Sequence, residues 1–115
     1  MTYAEKLKDP RWQKRRLEVF NKADWKCEDC GAGDKELQVH HCYYIRSLEP
    51  WEHGNDLLIC VCPDCHKKRQ AKEEAIHVSV GQWLREVPAW DLETAAWEFC
   101  DAVVKRLNQE RKQTP

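Results

Sequence analysis

The sequence predicts an α+β fold: a small β-hairpin stapled by zinc to the start of a helix, with one helix before it and a helical extension after it. Three observations carry this expectation. Two CxxC pairs, Cys27/Cys30 and Cys62/Cys65, bracket a segment that reads as two strands. Helical periodicity appears on both sides of that segment. The chain has 115 residues, which suits a single domain with one modest core. Within it, 10–75 form the zinc-bearing core and 76–115 the helical extension.

Residues 9–24, DPRWQKRRLEVFNKAD, predict a helix: Asp9 can cap it, Pro10 suits its first turn, and Trp12, Arg16, Val19 and Phe20 fall near one face. WKCEDCGAGDK follows as a tight turn, with Gly31 and Gly33 providing permissive backbone. ELQVHHCYYI (36–45) alternates and is rich in β-formers, so it predicts a strand. RSLEPWEHGND is a loop, and LLICVC (57–62) predicts the second strand. Pro63 stops that strand and opens the helix DCHKKRQAKEEA.

Beyond it, SVGQWLREV (79–87) predicts a short separate helix that stops near Pro88. Asp91 then caps a long helix carrying Leu92, Ala96, Phe99, Val103 and Leu107 at helical spacing. The apolar face of that helix needs cover, from within the domain, from a second copy of the chain or from a protein partner. Trp12, Trp83 and Trp97 are expected in the core, as are Cys60 and Cys100, while Trp51 and Trp90 cap loops or face a partner.

The bulk numbers narrow the function classes. The longest apolar run, LLICVC, is far short of the roughly 20 residues that cross a bilayer, so no membrane partner is expected. MTYAEKLKDPRW has no apolar stretch with a cleavage site, which makes a cytoplasmic setting the expectation. Seven cysteines, an odd number arranged around two CxxC pairs, then point to reduced, metal-binding thiols rather than disulfides. A net charge of −1 leaves no global nucleic-acid footprint, but KRR (14–16) and KKR (67–69) concentrate positive charge locally.

The duplicated CxxC is the strongest signal. Each turn offers two thiolates from one tight loop, and two such turns brought together by a hairpin complete a tetrahedral site for structural Zn²⁺. Cys42 is left beside the paired histidines without an assigned role. A zinc ribbon alone does not call for VHH on its first strand or a histidine directly after its last cysteine. His40, His41 and His66 all lie beside elements that the metal draws together.

CEDC, LQVHH and DLLICVCPDCH in this order resemble the HNH endonuclease family, of the ββα-metal type with a zinc ribbon built around it. The resemblance covers roughly residues 10–75. It implies DNA phosphodiester hydrolysis with a catalytic divalent ion: Mg²⁺, Mn²⁺, Ni²⁺ or Zn²⁺. His40 and His66 match the metal ligands, and His41 matches the general base. Phosphate contacts would fall to Arg15, Arg16, Lys67, Lys68 and Arg69. Two positions depart from the family pattern. Leu57 stands where an asparagine usually orients the base, with Asn55 two residues earlier, and Gln70 stands where a second helix histidine is common. His53, in the PWEHG loop, is an auxiliary candidate ligand. The other reading the residues allow is a catalytically silent zinc-ribbon module that binds nucleic acid or a protein.

Overall fold

A computed structural model describes residues 1–113, for Gln113 the backbone only. It is an α+β chain: helices α1 (Tyr3–Leu7) and α2 (Pro10–Lys22), an antiparallel hairpin of β1 (Gln38–His41) and β2 (Leu58–Val61), then long helices α3 (Pro63–Glu86) and α4 (Leu92–Gln113). Short 3-10 turns cover Pro50–Glu52 and Ala89–Asp91. The chain divides into two compact units at Lys72/Glu73, within α3. Among the described residues, no helix is long and apolar enough to cross a membrane.

Local chemistry sets the start and end of the first helices. Thr2 and Glu5 form a capping box: the Glu5 N–H donates to Thr2 Oγ1, and the Thr2 N–H donates to Glu5 Oε2, both at 3.2 Å. Asp9 caps α2 by accepting the Arg11 N–H at 2.8 Å, and Pro10 occupies the first turn, where its missing N–H costs nothing. The Arg11 guanidinium, bound to both Asp9 oxygens, is the main cause holding that carboxyl below its ordinary range.

At the other end of α2, Asp24 and Trp25 both adopt left-handed backbone, φ 56° and 55°. The Trp25 N–H reaches Phe20 O at 2.9 Å and the Asp24 N–H reaches Asn21 O at 3.1 Å, a Schellman closure made without glycine. It turns the chain directly into the first CxxC loop. The indole Nε1–H of Trp25, bound to Asn21 Oδ1 at 2.8 Å, helps hold that turn.

The hairpin register pairs Gln38 with Val61, Val39 with Cys60, His40 with Ile59 and His41 with Leu58. β1 is therefore shorter than the 36–45 alternation predicts. One further bond, Cys42 N–H to Leu57 O at 2.7 Å, extends the pairing before the chain turns away. The core of this first unit is built from Val19, Phe20, Leu37, Leu58, Cys60 and Val61 together with Cys27, Cys62 and Cys65. Trp12 and Cys60 are buried as expected.

The second unit departs further from expectation. α3 runs unbroken through residue 79 to its end at Glu86, where the sequence suggested a new helix over 79–87. A mid-helix glycine such as Gly81 costs only about 1 kcal/mol, too little to break a long helix. Trp83 and Trp97, expected in the core, are 38% and 76% exposed, and Cys100 is exposed as well. None of the described residues from Glu73 onward is buried.

Candidate metal centre and histidine cleft

The hairpin and the first turn of α3 bring the four knuckle cysteines together. The Sγ atoms of Cys27, Cys30, Cys62 and Cys65 all lie within 4.8 Å of one another. Cys30 and Cys62 sulfurs are 3.8 Å apart. A tetrahedral zinc with metal–sulfur bonds of about 2.3 Å has edges of about 3.8 Å, so the cluster fits a structural Zn²⁺. A disulfide, with sulfurs about 2.05 Å apart, is excluded by the same distance, and all the cysteines are free thiols.

The electrostatics suit a cation. Burial raises the Cys27 thiol, but backbone N–H groups of Cys30, Cys62 and Asp29 outweigh it and bring it down to about 6. Burial and hydrogen bonds to the neighbouring thiols push Cys65 up to about 12. One thiolate, Cys27, is thus prepared, and Cys65 resists ionising until a cation offsets its burial and the neighbouring negative charge. Cys60, although nearby, is raised to about 11 chiefly by burial and belongs to the core.

The first knuckle is fastened to both neighbours. Glu28 donates its N–H to Cys60 O at 2.9 Å and accepts the Cys60 N–H on its carboxylate at 2.7 Å, so the knuckle is tied to the open edge of β2. Gly31, at φ 80°, lets the loop close with its N–H on Cys27 O at 2.8 Å. Arg69, in the second turn of α3, grips both oxygens of Asp29, with Nη2 to Oδ1 at 2.8 Å. That ion pair is the first cause holding the Asp29 carboxyl below its ordinary value. Arg69 is thus a clamp between the helix and the knuckle.

Beside the cysteine cluster lies a cleft of about 490 Å³ whose walls include Arg16, Gln38, His40, His41, His66 and Gln70. His40 is buried, and its ring sits 5.1 Å from that of His66, edge to face. His66 Nδ1 donates to Gln38 Oε1 at 2.6 Å, so the remaining lone pair is on Nε2. His41 is half-buried, stacked 5.2 Å from the Trp12 ring, and its Nε2–H donates to Pro50 O at 3.0 Å. A carbonyl only accepts, so the His41 lone pair is on Nδ1. Burial, assisted by His53 and His40, pulls the His41 imidazole below its ordinary value, against the opposing Pro50 bond. That shift favours the neutral imidazole.

Other candidate residues have different surroundings. His53 is buried with both ring nitrogens engaged: Nδ1–H donates to Glu49 O at 3.0 Å and Nε2 accepts the Ile45 N–H at 2.8 Å. It shapes the loop under His41, whose ring is 4.8 Å away. Asn55 is held by Arg15 at 2.7 Å, and the same guanidinium donates to His53 O at 3.0 Å. Arg16 donates to Gln13 Oε1 at 2.6 Å and lies over the Phe20 ring. Lys67 and Lys68 are exposed on α3.

Sequence reasoning did not find Gln38, Trp12 or the Pro50 carbonyl as partners of the histidines. Gln38 had a signal: it lies two residues before His40, on the same strand face. Comparison of the chain with protein-family models, with curated proteins and with solved structures finds no match.

Proposed function

We propose that this chain is a metal-dependent endonuclease of the HNH type that hydrolyses DNA phosphodiester bonds on a zinc-clamped hairpin. One observation carries the reading. His40, His41 and His66 line one cleft, and two of the three have a ring nitrogen fixed by a carbonyl of this chain, which sets where the other lone pair sits. A hydrogen bond of that kind is how proteins fix the tautomer of a ligating or proton-accepting imidazole.

The divalent ion would be held by His40 and His66, whose rings are close enough to serve one cation. When bound, it offsets charge building on the phosphate and the departing oxygen. His41, neutral and held against Trp12 and Pro50, accepts the proton of the attacking water at Nδ1. The Pro50 carbonyl orients this base in place of the asparagine that Leu57 lacks. Arg16, at the cleft wall, binds a phosphate oxygen, and Lys67 and Lys68 extend the contact along the backbone, so binding weakens steeply with salt. Gln70 hydrogen-bonds water in the cleft.

The test is nicking of supercoiled plasmid with Mg²⁺, Mn²⁺ or Ni²⁺, comparing wild type with His41→Ala. A positioned base is worth about 10²–10⁴-fold, so the variant is expected to slow by that factor with its zinc intact. Equal activity in the two proteins overturns the reading and leaves a zinc module that binds without cutting.

A further inference from the structure

The unit from Glu73 onward contains two helical stretches, the C-terminal part of α3 and all of α4, and no buried residue among those described. Its apolar residues are nonetheless ordered. Ile76, Val80, Trp83 and Val87 recur at steps of four, three and four, and Leu92, Ala96, Phe99 and Val103 repeat the same steps. On an α-helix this spacing draws one continuous seam. The two seams share an apolar groove of about 340 Å³, lined by Val80 and Trp83 on α3 and by Ala96, Phe99 and Cys100 on α4. Yet Val80 is 46% exposed and Phe99 68%. A seam whose own lining stays so open is half of a core, and two helices cannot close it.

Charge along α4 says what closes it. Its first half carries Glu93, Glu98 and Asp101 and no basic residue. Its second half carries Lys105, Arg106, Arg111 and Lys112 against Glu110 alone. Asp101 and Lys105 pair across the midpoint at 2.8 Å, which leaves acid towards one end and base towards the other. This polarity complements itself when a second α4 lies antiparallel. A two-fold axis across the groove produces that arrangement, since an isologous interface sets each surface against its own copy.

We propose that the second unit is half of a four-helix bundle, and that a second copy of this chain supplies the other half with its α4 antiparallel to the first. The pairing buries Trp83 and Phe99 in a common core, the usual arrangement when two helical hairpins associate. It is independent of the nuclease reading.

The zinc-loaded full chain is expected to sediment at twice its 13.7 kDa mass. Trp83→Glu with Phe99→Glu should weaken association at least 100-fold, while cobalt bound by the cysteine cluster keeps its thiolate absorption and shows that the first unit stays folded. The decisive arm uses charge. Arg106→Glu with Arg111→Glu, and separately Glu93→Lys with Glu98→Lys, should each associate poorly alone and pair when mixed, because each reversed end then meets its complement. A monomer at every concentration, a dimer that survives the core substitutions, an open ladder of larger species, or a failure of the mixed chains to pair overturns the proposal.

Discussion

At the scale of single residues, the histidines divide by what their second nitrogen does. His53 spends both nitrogens on backbone groups and is a structural tie. His41 and His66 each have one nitrogen set by a carbonyl oxygen, which is the condition for a defined lone pair on the other. Gln38 should therefore matter out of proportion to its exposure. Gln38→Ala frees the His66 ring to rotate, and orienting partners of this kind are worth about 10–100-fold in metal affinity. Calorimetric titration of Ni²⁺ into zinc-loaded protein is expected to show that loss at the second site only. An unchanged second site would mean that His66 does not hold an ion. The arginines teach a related lesson. The runs KRR and KKR look alike in sequence, yet Arg15 and Arg69 are committed to partners 38 and 40 residues away, while Arg16, Lys67 and Lys68 are not. Nothing in a basic run announces a partner that distant, so the sequence could name the charges but not the engaged ones.

At the scale of elements, legibility followed how local the cause was. The start of α2 was readable because Asp9 and Pro10 act within one turn. The extent of β1 was not, because a strand lasts only as long as its partner: β2 runs from Leu58 to Val61, and Pro63 follows. The alternation from 36 to 45 has no second strand to pair with at its ends. The continuity of α3 was not legible either: the sequence predicts a separate helix at 79–87, whereas Gly81 within it costs little beside a helix of 24 residues. This makes Gly81 a test of the helix. A Cβ there meets nothing within 4 Å, so Gly81→Ala removes backbone freedom from the unfolded chain without a clash. A gain of about 0.5–1 kcal/mol is expected from denaturant melts followed by far-ultraviolet circular dichroism. A loss instead would place that face of α3 against something a methyl group disturbs.

At the scale of the molecule, the cysteine cluster joins parts of the first unit that are distant in sequence, alongside the Arg69–Asp29 and Arg15–His53 ties and a small core. Val19, Phe20, Leu37, Leu58 and Val61 form a small core, and four of its nine buried members counted with the cysteines are themselves sulfur at or beside the cluster, Cys27, Cys60, Cys62 and Cys65. The cluster itself was the most legible feature of the sequence, since the CxxC spacing is a local property of ligand geometry. What it organises, the cleft beside it, depends on a register and a loop that spacing does not encode. Structural zinc of this type contributes about 10–16 kcal/mol of apparent binding free energy at neutral pH, as large as the roughly 5–15 kcal/mol by which whole domains are stable. Strong chelation should therefore unfold the unit, not merely empty it. The near-ultraviolet dichroism of buried Trp12 is expected to disappear as zinc is withdrawn and to return on re-addition. Cys62→Ser should reproduce the loss without chelator, and Cys42→Ser, outside the cluster, should not. Should the Trp12 signal persist with the metal gone, the hairpin and α3 would be held by the apolar core alone, and the cleft would owe its shape to packing and not to zinc.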